Sequence, residues 1–319
     1  MARITLDIFS GRPNPTWEVD DQTAEQVLRD AANQRELVSD SDEEGRLGFR
    51  GLLVDAEGHR ALSHHGLPGR FRLSGEDPRG AELALRLLER LGKPIEASDL
   101  PPGLARLEDL DLRRLIEDDV KSHGRAPETR SSSSDTSSAS ADAAAAQSVI
   151  QALSPAPVIG TDASSYSTIA QGSCSIEVAT FNPNFWNTGN VRPYNNCYNY
   201  ASNRRTDTFA QPGRAAGAQA TVMQCSNVTT GAVADGALQS STCASGPPRW
   251  YMALVIWPNV DYHWYRKSAE GFWGHKPGQT AARNYDNSGV VITNPQTANR
   301  GGYTNFCGYF FARSSMGIA

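Results

Sequence analysis

The chain's 319 residues include 39% hydrophobic and 20% charged side chains, enough apolar material for packed cores and, at roughly 100–200 residues each, for two domains. No apolar run approaches the ~20 residues that cross a bilayer; the longest, 250–257, is strand-sized. Net charge is −5, with 17 Lys and Arg against 25 Asp and Glu in residues 1–123 and 11 against 7 in residues 160–319, a basic excess too small and scattered for a nucleic-acid partner.

The first nine residues lack a long apolar stretch and a small-residue cleavage site, which reads as a cytoplasmic start with any export by a non-classical route. Ile4, Leu6 and Ile8 alternate with Arg3, Thr5 and Asp7, predicting a strand over 2–9. Ser-Gly-Arg-Pro-Asn-Pro at 10–15 is a compact turn. Ala24, Val27, Leu28 and Ala31 share one face of a helix predicted over 21–37, with Asp21 near its start. Strands are expected over 47–54 and 69–73. Leu83, Leu85, Leu87, Leu88 and Leu91 mark an amphipathic helix over 82–91, ended by Gly92 with Pro94 beyond. An acidic helix is expected within 105–120. Residues 1–120 therefore read as a small α+β module, open to docking another protein; His64 and His65 receive no role.

The run 131–146 contains only Ser, Asp, Thr and Ala. It has too little apolar surface to offset its chain entropy, so residues 121–160 are predicted to be a flexible linker. Beyond it the composition changes: no tyrosine precedes Tyr166, and five of the six tryptophans follow residue 160. A helix is predicted to begin at Cys197. Strands are predicted over 250–257, 262–267, 272–275 and 306–312, with residues 268–271 turning a hairpin between the second and third. Residues 161–319 read as one helix on an antiparallel sheet, and the whole chain as α+β.

All five cysteines, Cys174, Cys197, Cys225, Cys243 and Cys307, lie in this half. Two arrangements stay open: one working thiol with two disulfides, or five reduced cysteines buried as small hydrophobes. No CxxC pair is present, so neither a structural metal nor a cofactor is expected.

Cys197 follows Asn195-Asn196 in the first turn of its predicted helix, where unpaired N–H groups and the helix dipole favour a thiolate. The half has two histidines, His263 and His275, twelve residues apart on the arms of the predicted hairpin. A helix across that hairpin would present Cys197 to His263 as general base. His275 would orient the imidazole, with Asn284 and Asp286 as substitutes. Asn196 would support an oxyanion or cap the helix. Tyr198, Tyr262, Trp264 and Trp273 would line a cleft or fill the core. Asn227-Val228-Thr229 fits a glycosylation sequon.

This order of Cys197, His263 and His275 resembles the NlpC-type papain-like peptidases and the related CHAP amidases over residues 190–280. The resemblance implies a papain-like cysteine hydrolase, a peptide or cell-wall stem as substrate, and a triad of those three residues. The family's usual Asp-Cys-Ser-Gly is replaced by Asn-Cys-Tyr-Asn. A second likeness rests on Asn-Asn-Cys-Tyr-Asn-Tyr-Ala at 195–201, Thr-Phe-Ala-Gln-Pro-Gly-Arg at 208–214 and the stretch 261–308. These are similar to a family of bacterial proteins without an assigned activity, and to insoluble matrix shell proteins of molluscs. That likeness implies a non-catalytic, disulfide-stabilised binding or matrix-associated domain as the alternative.

Overall fold

The computed structural model describes residues 1–39, 45–92, 94, 110–122, 156–162 and 166–319. Strand β1 (Ala2–Asp7) turns back into β2 (Thr16–Val19). Helix α1 (Asp21–Ala32) starts where the Asp20 carboxylate accepts from the Thr23 N–H at 2.7 Å, a standard N-cap. It ends at Asn33, and a separate 3-10 turn, Arg35–Leu37, follows. The helix predicted over 21–37 is thus broken where asparagine and glutamine interrupt its apolar face. Strands β3 (Val38–Ser39), β4 (Gly51–Asp55) and β5 (Arg70–Ser74) complete an antiparallel sheet in the order β2-β1-β4-β5-β3, with the short helix α2 (Ala61–His65) between the last two in sequence. Helix α3 (Pro78–Leu88) begins before its apolar pattern because Asp77 caps it and Pro78 occupies its first turn. Helix α4 (Leu112–Ser122) lies against α3 and buries Ile116.

The second sheet is built from β6 (Ser167–Gln171), β7 (Cys174–Val178), β8 (Leu238–Gln239), β9 (Arg249–Trp257), β10 (Asp261–Lys267), β11 (Trp273–His275) and β12 (Asn305–Arg313). Its main path runs β11-β10-β9-β12-β8, antiparallel throughout; β7 pairs with β6 and meets β9 in parallel at Glu177–Trp250. Helices α5 (Pro183–Asn187), α6 (Cys197–Ser202) and α7 (Cys225–Ala234) join it, so more than one helix accompanies the sheet. The chain is α+β.

One apolar cluster runs through both sheets, joining Ile4, Leu6, Leu52 and Leu73 to Ala253, Val255, Tyr265 and Tyr303. A second fills the other face of β9 and β10, where Leu254, Ile256, Tyr262 and Trp264 meet Cys197, Tyr198 and Ala201 of α6. Disulfides Cys174–Cys243 and Cys225–Cys307 staple this part, and Cys197 is the free cysteine. Cys307 lies where the β9–β12 register shifts, between Phe306 and Gly308, so the bulge turns its side chain toward α7. Of the predicted linker, residues 123–155 lie outside the described residues. Residues beyond them are tied down: the Ala156 N–H donates to the Ile318 carbonyl (2.9 Å) and Arg205 exchanges bonds with Ile159 and Gly160. Among the described residues no helix is long and apolar enough to cross a membrane.

Candidate functional site

The turn at 10–12 inserts at the start of β10. There the buried Asp261 carboxylate accepts the backbone N–H of Ser10 (2.6 Å), Gly11 (3.1 Å) and Arg12 (2.9 Å), and the Tyr303 hydroxyl (2.6 Å). The Gly11 carbonyl in turn accepts from Asn196 Nδ2 (2.9 Å), Gln211 Nε2 (2.8 Å) and the Tyr262 hydroxyl (3.0 Å). A Cβ on Gly11 would lie 2.5 Å from the Tyr262 ring, so only glycine allows this approach. Behind the turn, buried Asp7 holds Arg50 (2.6 Å) and Arg72 (2.8 Å). Burial alone would raise the Asp7 carboxyl pKa, but the two guanidiniums outweigh it and hold it well below the usual carboxylate range.

Asn196 is fully engaged by this junction. Its Oδ1 accepts from the N–H of Tyr198 (3.0 Å) and Asn199 (3.2 Å), Asn199 Oδ1 accepts the Asn196 N–H, and Asn196 Nδ2 bonds Gly11 and Ala210. The side chain makes a capping box and aims no donor at open space. Cys197 follows at the helix start, as the sequence indicated, but is buried, with Sγ 4.0 Å from the Tyr262 carbonyl. Burial pushes its thiol pKa well above the ordinary value; desolvation outweighs the helix terminus, leaving a neutral thiol.

His263 and His275 do meet, with Nε2 of the first 2.9 Å from Nδ1 of the second. His275 Nε2 lies 2.9 Å from the Tyr285 carbonyl. Because a carbonyl only accepts, His275 carries its proton on Nε2, and His263 therefore donates from its own Nε2. Both rings are neutral: burial lowers the His275 pKa from 6.5 to about 3, and burial, His275 and Arg50 hold His263 well below its ordinary value. Along β10, Tyr262 and Trp264 face α6, whereas His263 faces Tyr265 and Tyr303 on the opposite side. The sheet itself stands between Cys197 and His263.

The remaining candidates serve the fold. Asp286 accepts from the N–H of Ser288, Val290 and Asn299 as a turn staple, and Asn284 contributes its carbonyl to Ile292. The Tyr198 hydroxyl donates to Asp235 (2.9 Å), and Trp273 packs on Tyr251 and Tyr309. His65, at the end of α2, lies 3.6 Å from Glu25 of α1. The sequence signalled nothing of Asp261 or of Lys276, whose buried ammonium donates to the carbonyls of Arg192, Asn195 and Gly278 at 2.5–2.7 Å.

The histidine pair has a measurable consequence. Unfolding returns each ring to its ordinary pKa, so the unfolded chain binds more protons and stability is lost as pH falls from 6.5 toward 3. Asp235, raised by burial from 3.8 to about 6, contributes the opposite slope in that window. With two histidines against one carboxyl, the net effect of these groups is a loss of stability as pH falls through this window. Urea unfolding at pH 6.0, 5.5, 5.0 and 4.5 checks this. His275→Gln removes one histidine's share and should give a shallower profile; an unchanged slope contradicts the assignment.

No protein-family model matches the chain, and no solved structure matches it. It is 44% identical over 129 residues to insoluble matrix shell protein 1 of Ruditapes philippinarum, covering 40% of this chain and 86% of that protein. The chain belongs to the family of that shell protein. This corrects the likeness to NlpC-type and CHAP enzymes, and with it the papain-like fold, the thiol-peptidase and hydrolase reading, the bacterial assignment and the peptide or cell-wall substrate. The opposed faces of Cys197 and His263 supply the physical reason. The cytoplasmic expectation is corrected too: the chain carries two disulfides, which form and persist in oxidising compartments.

Proposed function

We propose that the chain is a non-catalytic binding domain that associates with an insoluble extracellular matrix. The observation that carries this reading is the placement of the one free thiol, buried and neutral on the face of the sheet away from the histidine pair. The predicted site residues then have structural roles. Asn196 caps α6 and grips Gly11, Cys197 fills the core, and His263 with His275 bridges β10 to the segment carrying Tyr285. Residues 1–120 act as a module that completes 161–319, its turn bound within the same chain. The relative's designation as an insoluble matrix protein and the two disulfides support a load of this kind outside the cell.

The test uses the oxidised full chain. It should co-sediment with insoluble polysaccharide powder or calcium carbonate, and Cys197→Ala should co-sediment equally. Iodoacetamide should leave Cys197 unmodified in the native state and label it after denaturation. Rapid native labelling, or peptide-bond cleavage lost in Cys197→Ala, would overturn the reading.

A further inference from the structure

We propose that the groove between the first sheet and the loops carrying Tyr194, Phe209 and Gln279 binds a neutral, polyhydroxylated chain, an oligosaccharide; this deepens the matrix-binding reading and rests on it. The groove has a volume of about 610 Å3, within the range of roughly 300–1,000 Å3 typical of ligand sites. One wall is the outward face of β1 and β2, where Thr5 pairs with Thr16 and Arg3 with Glu18. The other is made by Tyr194, residues 207–209 and Gln279. The clasp at 10–12 fixes the distance between the walls.

Its charges are answered within the protein. Arg3 pairs with Glu18 at 3.1 Å. Asp207 accepts from Arg205 at 2.9 Å and from Asn195 Nδ2 at 2.6 Å. Arg12 is buried, donating to the Val260 carbonyl at 2.9 Å and lying over the Phe9 ring. With these pairs closed, an ionic ligand gains little Coulombic attraction to repay its own desolvation. Among the described residues no cluster of His, Cys, Asp or Glu could hold a metal ion.

What the groove offers is uncharged. The Tyr194 ring is 56% exposed and contacts no other aromatic ring among the described residues. Phe209, half-buried, is joined to it by the Phe209 N–H donating to the Tyr194 carbonyl at 2.8 Å. Asp207 and Phe209 both adopt positive φ, 54° and 51°, which is costly for a bulky residue. Gln211 and Arg214 hold the strained loop by donating to its carbonyls. Tyr194 and Phe209 both line the groove, linked through their backbones, and aromatic side chains with hydroxyls around them suit the apolar C–H face and polar rim of a sugar ring. Thr5 and Thr16 bond each other at 3.1 Å, as Thr208 does Thr206 at 2.8 Å, leaving hydroxyl lone pairs for sugar O–H donors. The Gln279 amide adds a neutral donor and acceptor.

The experiment is a heteronuclear NMR titration of the oxidised full chain with cellohexaose, chitohexaose and laminarihexaose, and separately with hexagalacturonate and hexalysine. At least one neutral hexasaccharide should give saturable shifts confined to the amides of Tyr194, Thr208, Phe209 and Gln279. Tyr194→Ala, at an exposed position, should keep the melting temperature and weaken binding at least tenfold; Thr208→Val should weaken it less. Absence of groove shifts with all three neutral sugars, equal affinity in Tyr194→Ala, or preferential binding of either charged oligomer there overturns the proposal. If groove shifts fail while co-sedimentation persists, the saccharide site falls and matrix association stands; if co-sedimentation also fails, the underlying reading falls.

Discussion

Asp261→Ala is expected to destabilise the protein by about 3–5 kcal/mol, the usual cost of removing one partner from a buried, hydrogen-bonded charge site. The carboxylate accepts three consecutive backbone N–H groups and the Tyr303 hydroxyl in a water-excluded junction. Alanine leaves those donors unanswered, at about 1–3 kcal/mol for each one left unsatisfied. Asp261→Asn keeps one acceptor oxygen and sets an amide N–H₂ against backbone donors, so it should fall between the two. Urea unfolding measures the loss, and hydrogen exchange at Ser10, Gly11 and Arg12 locates it. A change within about 1 kcal/mol of zero for the alanine variant, on the scale of an ordinary surface substitution, would falsify the clasp.

The second large effect belongs to the disulfides. Cys225–Cys307 spans 82 residues and Cys174–Cys243 spans 69. Chain-entropy reasoning gives about 4–5 kcal/mol for closing loops of that length, although measured values are commonly about 2–4. Replacing Cys225 and Cys307 together by alanine should therefore cost several kcal/mol. Cys197→Ala is the proper background, because it removes the thiol that would exchange with the bridges on unfolding. A loss below about 1 kcal/mol for the pair, smaller than the typical range, would show that the bridge constrains little.

Much of the second sheet was legible because its strands are long, aromatic-rich and bounded by turn residues; β9 through β12 fall within a few residues of their predicted spans. The twelve-residue spacing correctly placed His263 against His275. What the spacing cannot carry is which face of β10 receives α6. Side chains alternate along a strand, so one step in register decides whether His263 or Tyr262 meets the helix. Tyr262 does. The short strands β2, β3 and β8 have too few residues for a period to emerge. The 10–15 turn was recognisable, but its partner was not, since nothing local to Ser10 points 251 positions along the chain to Asp261.

That separation has a consequence for how the molecule is made. Residues 10–12 leave the ribosome long before Asp261, Tyr262 and Tyr303 exist to receive them, and Ala156 must similarly await Ile318. The loop-closure cost grows only logarithmically with length, yet contacts so distant in sequence slow the approach to the native state. The turn at 10–12 is therefore completed only once the segment carrying Asp261 and Tyr303, some 250–290 residues further along, has been made.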